Sequence, residues 1–578
     1  MRGAALLLTL CGGSALCGPR SDYEDRLVAW ALQKTGRTVA RSPEGKRIEG
    51  ILIVSEDVVA ASDPYPRPVN GIHFTTRDFI VRQELVVREG ELFDGARLEE
   101  SARNLRRLFI LAIAQIVPVE GTDGGIALLV VTKDLWSIRL NSEYILVGNV
   151  LELLRLRPTE QNFFGLNAQL AGDLLLRLDT VSLGESLAYP RLFGTVLAVN
   201  ETSAVVVNRH TQKAEGSRGG LSIGKPLYTL EDTWGFNVAA GWDVERQRIF
   251  QGPRVLQLPL PGGGTVADAY DQRTVRGSVV ATRSYGMQYK TNASLGWGGY
   301  SNAFTVPLAA GGPVARSYFA ASALPRSESA SYLLTSLQAF EARYAVMHDV
   351  RTFALAEDHQ LGYSAVATLH WADPAFASAL RFVEGGASAG YTALAGGDLV
   401  SVTGAVAARW QVGARGVGLS GTFVNRRASF QVSNISPPWG IGRVVTRVLC
   451  EEKKDDLNHY PLFLGGDNGL RGTPAQDQAG TRRLLANVEY RTRPLELWTL
   501  HLGLVFFYDA GTAYDGSPSW THVVGLGLRA LFPQFDVSPI RIDFGYVVSG
   551  VRPPFSDRFS SSFGQVSDLQ PAFLNQPL

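Results

Sequence analysis

The chain has 578 residues, and its 55 lysines and arginines almost balance its 54 aspartates and glutamates. This balance excludes a protein that binds nucleic acid or an anionic surface through a large net positive charge. Apolar residues make up 45% of the chain, which excludes disorder as its main state, while 61 glycines and 19% charged residues favour a β-rich fold.

The amino terminus has the pattern of a secretion signal over residues 1–18. One arginine precedes the short apolar core Ala4–Leu10, and small residues lie near Cys17. A lipoprotein signal is an alternative, although bulky leucines precede both N-terminal cysteines. Cleavage would leave Cys450 as the one thiol of the mature chain, which excludes a disulfide framework. Residues 19–45 are interpreted as an N-terminal extension.

Residues 46–133 are predicted to form a small α+β domain with the order β-α-α-β-β. The second helix places Leu98, Ala102 and Leu105 on one face. The predicted elements are a strand at Ile48–Val54, a helix capped by Thr75 or Thr76 and ending near Val87, the second helix, and strands at Ile113–Val119 and Ile126–Val131.

Residues 135–566 consist mainly of short segments with a period of two. In Ile540–Tyr546, apolar side chains alternate with Arg541, Asp543 and Gly545. No run approaches the roughly 18 apolar residues of a membrane helix. Many alternating segments separated by turns are typical of a membrane β-barrel. Trp136, Trp234, Trp371 and Trp498 suit interfacial girdles or core packing, and residues 252–265 and 436–442 are predicted to be long loops.

Several motifs together resemble the BamA/TamA-type outer-membrane superfamily, in its single-POTRA surface-antigen branch. The segment TTRDFIVRQELVVREGELFDGARLEESARNLRRLFI (75–110) with VVTKDLWSI (130–138) resembles a POTRA domain and the entry to the barrel. QNFFGLN (161–167) and GKPLYTLEDTWGF (224–236) resemble early barrel segments. FLGGDNGLRGT (463–473) is similar to the lid-loop motif of the family, and GLVFFYDAG (503–511) contains its companion F-x-D-x-G motif.

The resemblance implies an all-β transmembrane barrel of about 16 antiparallel strands, preceded by a POTRA domain in the periplasm of a bacterium with an outer membrane. It implies insertion or translocation of proteins. The POTRA domain would receive unfolded or β-rich client proteins by adding a client strand to its sheet. Outer-membrane lipid and periplasmic chaperones or partner lipoproteins are the other implied partners; nucleic acid is not.

Arg471 is the central residue of the predicted site. A guanidinium on a glycine-flanked loop suits bidentate pairing with a carboxylate. Asp509 and Glu489 fall on polar positions of their strands, so they are the predicted lumenal partners. Gly465, Gly466, Gly469 and Gly472 would permit a tight backbone path. Phe507 and Gly511 complete the companion motif, while Thr473 occupies the position where the family motif has an aromatic residue.

The carboxyl end also departs from the family pattern. The terminal strand is predicted to begin at Asp557 and to end near Val566. A tail, residues 567–578, follows it and ends on Leu578 rather than on an aromatic residue. Recognition by the assembly machinery would then use Phe563 or an atypical signal.

No catalytic, metal or cofactor site is predicted. Gly220–Gly224 fits G-x-S-x-G but has no strand-to-helix elbow, and Pro226 stands where a phosphate loop needs serine or threonine. The eight histidines are scattered. Two alternatives to general insertion remain open: a dedicated two-partner-type secretion transporter, and a passive channel or surface protein with the same fold.

Overall fold

The computed structural model describes residues 22–58, 74–108, 110–147, 149–308, 311–348, 350, 356–411, 423–497, 500–531 and 539–563. The predicted signal (1–18), the predicted tail (567–578) and Trp498 lie outside these residues.

A three-stranded sheet with helices on both faces forms the amino-terminal unit, here called the small domain. Its elements are α1 Asp22–Thr35, β1 Ile48–Glu56, α2 Asp78–Gln83, α3 Gly95–Arg106, β2 Leu111–Glu120 and β3 Ile126–Asp134. The strand order is β1-β3-β2, with β1 parallel and β2 antiparallel to β3. Central β3 is buried along its whole length because both of its faces are covered.

Two details of the small domain differ from the prediction. Helix α2 begins after Arg77 rather than at a threonine cap; the Thr76 hydroxyl accepts instead from the side-chain amide of Asn162 (3.0 Å). Helix α1, which was not predicted, packs Leu27, Val28 and Ala31 against the second face of the sheet. The structural unit therefore extends into the predicted N-terminal extension.

Both edges of this sheet are partly covered. Residues 38–40 run antiparallel to the second half of β2, and residues 90–91 hydrogen-bond Ile48 in β1. Among the described residues, no strand lies beside the outer edge of residues 52–56 in β1 or 112–117 in β2.

Apart from its connecting loops, one of which contains helix α4 Pro313–Ser322, the rest of the described chain is a closed antiparallel barrel of 20 strands, in which each strand pairs with the next and the last pairs with the first. In chain order, the strands are β4 Ile138–Val147, β5 Val150–Glu160, β6 Gln169–Arg177, β7 Thr180–Tyr189, β8 Ala198–Asn208, β9 Ala214–Lys225, β10 Trp234–Arg248, β11 Ala269–Tyr285, β12 Tyr289–Thr305, β13 Glu328–Glu341 continued by Arg343–His348, β14 Ala356–Ala372, β15 Phe382–Ala395, β16 Asp398–Gln411, β17 Phe423–Ile435, β18 Gly442–Lys454, β19 Arg482–Thr492 continued by Leu495–Leu497, β20 Leu500–Tyr514, β21 Thr521–Leu531, β22 Ile540–Ser549 and β23 Phe559–Phe563.

The prediction of about 16 strands is therefore wrong. Several turns are tighter than an even division of the chain assumes: Leu178-Asp179 joins β6 to β7, and Gly396-Gly397 joins β15 to β16. Alternation within a strand gives no information on the length of the next turn. The alternating pattern therefore predicts a β-barrel but not the number of its strands.

The outer wall is apolar and the inner wall is polar or small, as predicted. In β10, Trp234, Phe236 and Val238 are 57%, 44% and 46% exposed, whereas Glu245, at an odd-numbered position, is buried inside. A closed barrel leaves no unpaired backbone edge, so such a wall is suited to a lipid environment. None of the described helices is long and apolar enough to cross a membrane.

Even-numbered strands begin on the side of the small domain, because β4 follows directly from β3. Trp234 and Trp371 consequently lie on the outer wall near opposite ends of the barrel, as girdle residues would. Trp136 instead lies in the link between β3 and β4. The predicted long loop at residues 252–265 is wrong in part, because residues 250–267 contain two small hairpins.

The pairing between the first and last barrel strands, here called the seam, is short. Two register pairs, Val147–Ser560 and Leu146–Ser561, join β4 to β23 in the described residues. By comparison, fifteen pairs join β10 to β11. Among the described residues, the seam therefore has fewer register pairs than the other junctions between barrel strands.

Candidate functional site

Residues 455–481, here called the lid loop, connect β18 to β19 at the end of the barrel away from the small domain. Two short paired strands, Leu462–Leu464 and Gln478–Gly480, form its stem. Leu464 and Leu470 are completely buried and pack against inward-facing side chains of the wall. Burial of these leucines explains why the loop folds into the lumen rather than outward into solvent.

Arg471 lies at the buried end of the lid loop. Its Nε and Nη2 donate to the two carboxylate oxygens of Asp509, each at 2.8 Å, and Nη1 donates to Glu489 at 2.6 Å. The guanidinium also lies over the Phe507 ring, 3.6 Å from its centroid. Arg471 is 0% exposed. The predicted contacts with Asp509 and Glu489 are both present.

Electrostatics hold this arginine in its charged form. Burial by itself would lower the pKa of Arg471, but the carboxylates of Asp509 and Glu489 outweigh burial and raise it above the ordinary value. A charged guanidinium held by two fixed carboxylates is a strong and directional anchor. The loop is therefore attached to β19 and β20 at one point.

Further polar groups surround the anchor. Asn487 donates to both Asp509 and the Gly469 carbonyl, each at 2.7 Å, so it binds the wall and the loop at once. On the neighbouring strands, Arg529 pairs with Asp543 at 2.7 Å, and Asp543 lies 3.8 Å from the Arg471 guanidinium. The site therefore spans four strands, β19 to β22.

Glycines allow the loop to approach the wall. Gly472 has a φ of +75°, and a Cβ there would lie 2.5 Å from the Cα of Gly545 on β22. Gly465, Gly466 and Gly469 also have positive φ values, as the predicted tight path requires.

Thr473, at the position where the motif that the lid loop resembles has an aromatic residue, is buried within the loop itself. Its hydroxyl donates to the Leu470 carbonyl (2.8 Å) and accepts from the Gly466 amide (3.3 Å). The threonine therefore closes the loop internally instead of contacting the wall with a ring.

The two companion-motif residues have packing roles. Phe507 supplies the ring under Arg471, and a Cβ at Gly525 on the next strand would collide with that ring. A Cβ at Gly511 would come within 2.8 Å of Leu464 in the lid stem. Small residues at these positions make room for the loop and its platform.

Some members of the site were not predicted as such. Asn487, Arg529, Asp543 and Gly545 all face inward on strands near Asp509. The alternating pattern had placed Asn487 and Asp543 on the polar faces of their strands. The pattern alone could not bring those faces to the lid loop, because that juxtaposition depends on strand order.

The lumen contains a cavity of about 680 Å³ between the inner walls of β8–β11 and β13–β16. Tyr332, His370 and Arg276 are among its lining residues. No cluster of side chains able to hold a metal ion occurs within the described part of the chain. Gly220–Gly224, the G-x-S-x-G match, lies within wall strand β9.

No family model and no curated protein matches this chain. The solved structures that are similar to it include two of CdiB and one of BamA. CdiB from Escherichia coli has 11% identity and a TM-score of 0.42, covering 96% of this chain and 88% of its own. CdiB from Acinetobacter baumannii has 10% identity and a TM-score of 0.39, covering 90% and 73%.

The third is BamA from Haemophilus ducreyi lacking POTRA domains 1–3. It has 12% identity and a TM-score of 0.35, covering 90% of this chain and 84% of its own. At such identities and TM-scores, the fold of this chain rests on its own strand pairing rather than on these similarities.

Proposed function

We propose that this chain is an outer-membrane barrel that inserts or translocates proteins, with the lid loop gating the barrel. The observation that carries the proposal is the position of the lid loop against both strands of the seam. The turn Gly466–Asn468 contacts β4 and β23 from inside, and a Cβ on Gly466 would lie 3.0 Å from the Val147 side chain.

The lid loop therefore braces the strand junction that has the fewest register pairs among the described residues. Its other end is anchored through Arg471 to β19 and β20, and its backbone packs on Gly545 of β22. Displacing the lid would remove the internal support of the seam. The two register pairs described at the seam would then lose this support, and the strands could part and offer a free edge to a client strand.

The small domain is proposed to be a POTRA-type receptor in the periplasm. Main-chain pairing with an extended client needs a free sheet edge and makes few demands on sequence. Residues 52–55 of β1 and 113–117 of β2 supply such edges among the described residues. Client proteins, outer-membrane lipid and periplasmic chaperones or partner lipoproteins are the proposed partners.

The segments that lie at the two ends of the barrel argue against the passive-channel alternative. The lid loop occupies the lumen at one end, and the small domain contacts the barrel at the other, for example through Arg191 and Glu84 at 2.6 Å. A channel has no evident need for a buried, multiply anchored loop. The dedicated secretion transporter differs from the main proposal in the number of its clients, not in this geometry.

Depletion of the protein, followed by a proteomic census of the outer membrane and the medium, tests the proposal. Broad loss of outer-membrane proteins supports insertion, whereas loss of one exported protein supports a dedicated transporter. If the protein census were unchanged and ion conductance were altered, both the insertion and the secretion hypotheses would be refuted, and the passive channel would be supported. Complementation of the depleted cells with Arg471→Ala tests whether transport needs the anchored lid as well as the barrel. Failure to restore the census at normal barrel abundance would assign a role to the lid.

A further inference from the structure

Strands β13 and β14 continue beyond the barrel wall as a two-stranded extension, here called the inner hairpin (residues 343–348, 350 and 356–361). The two strands keep one register through the extension, which pairs with neither β12 nor β15. Gly362, at the point of departure, has a φ of +83°, which re-aims the backbone. The extension therefore turns away from the wall.

One face of the inner hairpin packs inside the barrel. Ala345, Val350 and Leu361 are buried against inward-facing apolar residues at the small-domain end of β16–β18. In the barrel part of β13 and β14, odd-numbered positions, which include those of Ala345 and Leu361 in the hairpin, face outward. The side of the ribbon that forms the outer surface in the barrel therefore packs against the inner wall in the hairpin.

The other face contacts the small domain. Arg106 of α3 donates two hydrogen bonds to Asp358, at 3.0 and 3.1 Å, and Arg103 lies 4.9 Å from the centre of the Tyr344 ring. The inner hairpin is therefore held between α3 and the barrel.

The same hairpin is joined to the lid anchor. Arg491 donates to the Val350 carbonyl at 3.2 Å and pairs with Glu489 at 2.7 Å. Glu489 in turn holds Arg471 at 2.6 Å. Within the hairpin, the Val350 amide donates to the carboxylate of Glu357, the neighbour of Asp358, at 3.1 Å. A series of polar contacts, linked through the hairpin backbone, thus runs from α3 to the lid loop, which lies at the opposite end of the barrel.

We propose that the inner hairpin is a relay through which the position of the small domain controls docking of the lid loop. The inference goes beyond the proposed transport function, and its test needs no client. If a ligand on the small domain pulls α3 away, the hairpin loses its outer support and Arg491 loses its hold on Val350. Glu489 is then free to reorient, and Arg471 loses one of its two carboxylates.

Thiol labelling of the lid tests the relay in the purified full chain. Ala475, a buried lid residue, is replaced by cysteine in a Cys450→Ser background, so labelling reports displacement of the lid. Asp358→Asn removes the charge that Arg106 holds. We expect Ala475→Cys to react roughly fivefold faster in that variant, at the lower end of the usual coupling between sites.

A matched control breaks a different ion pair between the small domain and the barrel. Glu84→Gln disrupts the Arg191 contact, which does not involve the inner hairpin. Labelling in this variant should match the parent. The charge-reversed pair Arg106→Glu with Asp358→Arg should restore slow labelling, which general loosening of the structure would not do.

Equal acceleration by Glu84→Gln and Asp358→Asn would overturn the relay, since any loss of domain docking would then release the lid. Unchanged labelling in Asp358→Asn would overturn it as well. Either result leaves the client census, and hence the proposed function, unaffected.

Discussion

Replacing Arg471 by alanine is expected to release the lid loop while the barrel stays folded. The change removes three side-chain hydrogen bonds to two carboxylates and the contact with the Phe507 ring. The barrel ladder does not pass through the loop, because β19 pairs directly with β18 and β20. Loss of the anchor should therefore act on the loop and the seam rather than on the wall.

The magnitude follows from the carboxylates left behind. Breaking a buried ion pair costs about 3–5 kcal/mol, because the remaining charge is uncompensated. Here Glu489 keeps Arg491, and Asp509 keeps the Asn487 amide, so the lower figure applies. About 3 kcal/mol corresponds to roughly a hundredfold shift from docked to displaced lid.

The rate of thiol labelling of Ala475→Cys measures this shift. The abundance of the barrel and the resistance of its electrophoretic mobility to heat are measured in parallel, to show that the barrel stays folded. Arg482→Ala is the matched control, since Arg482 forms a half-exposed ion pair with Glu452 at 2.9 Å. Such exposed pairs contribute about 0–1 kcal/mol. Arg471→Lys, which keeps the charge but not the bidentate geometry, should fall between the two.

The reasoning would be refuted if Arg471→Ala labelled no faster than Arg482→Ala. Unchanged client insertion or secretion at normal abundance would refute the functional role of the lid even if the loop were displaced. Loss of the barrel itself in Arg471→Ala would show that the anchor is a folding element instead.

Three further predictions concern other parts of the molecule. Gly472→Ala should displace the lid by strain of about 1–3 kcal/mol, whereas Gly516→Ala, where a Cβ meets nothing within 4 Å, should label like the parent. A disulfide between Val147→Cys and Ser560→Cys should stop client transport until it is reduced; normal transport with the seam cross-linked would exclude opening there. Backbone amides of the β2–β3 turn outweigh slight desolvation and lower the pKa of Glu49 below its ordinary value of 4.5. The ionised Glu49 therefore stabilises the turn fully at a pH above the pKa of glutamate in the unfolded chain, and this stabilisation is lost as the pH falls through the lower pKa of the folded state. Hydrogen exchange of the turn amides should show this loss, and Glu49→Gln should abolish the pH dependence.

Local pattern was sufficient for the barrel and for the pairing partners of its lid. Alternation put Glu489 and Asp509 on inward positions, because a period of two fixes which side of a strand each side chain takes. The loop that meets them was identified from the resemblance of residues 463–473 to the lid-loop motif, and the glycines around Arg471 gave that resemblance a physical reason.

Strand number, the extent of the site and the inner hairpin were decided by the tertiary structure. Turn lengths set the number of strands at 20, and strand order brings Asp543 and Gly545 beside the lid. In the inner hairpin, odd-numbered positions, which face outward in the barrel part of β13 and β14, are buried inside, because the ribbon turns away from the wall at Gly362. The sequence by itself determines which side chains share a face of a strand, but what that face meets depends on contacts between residues far apart in the chain.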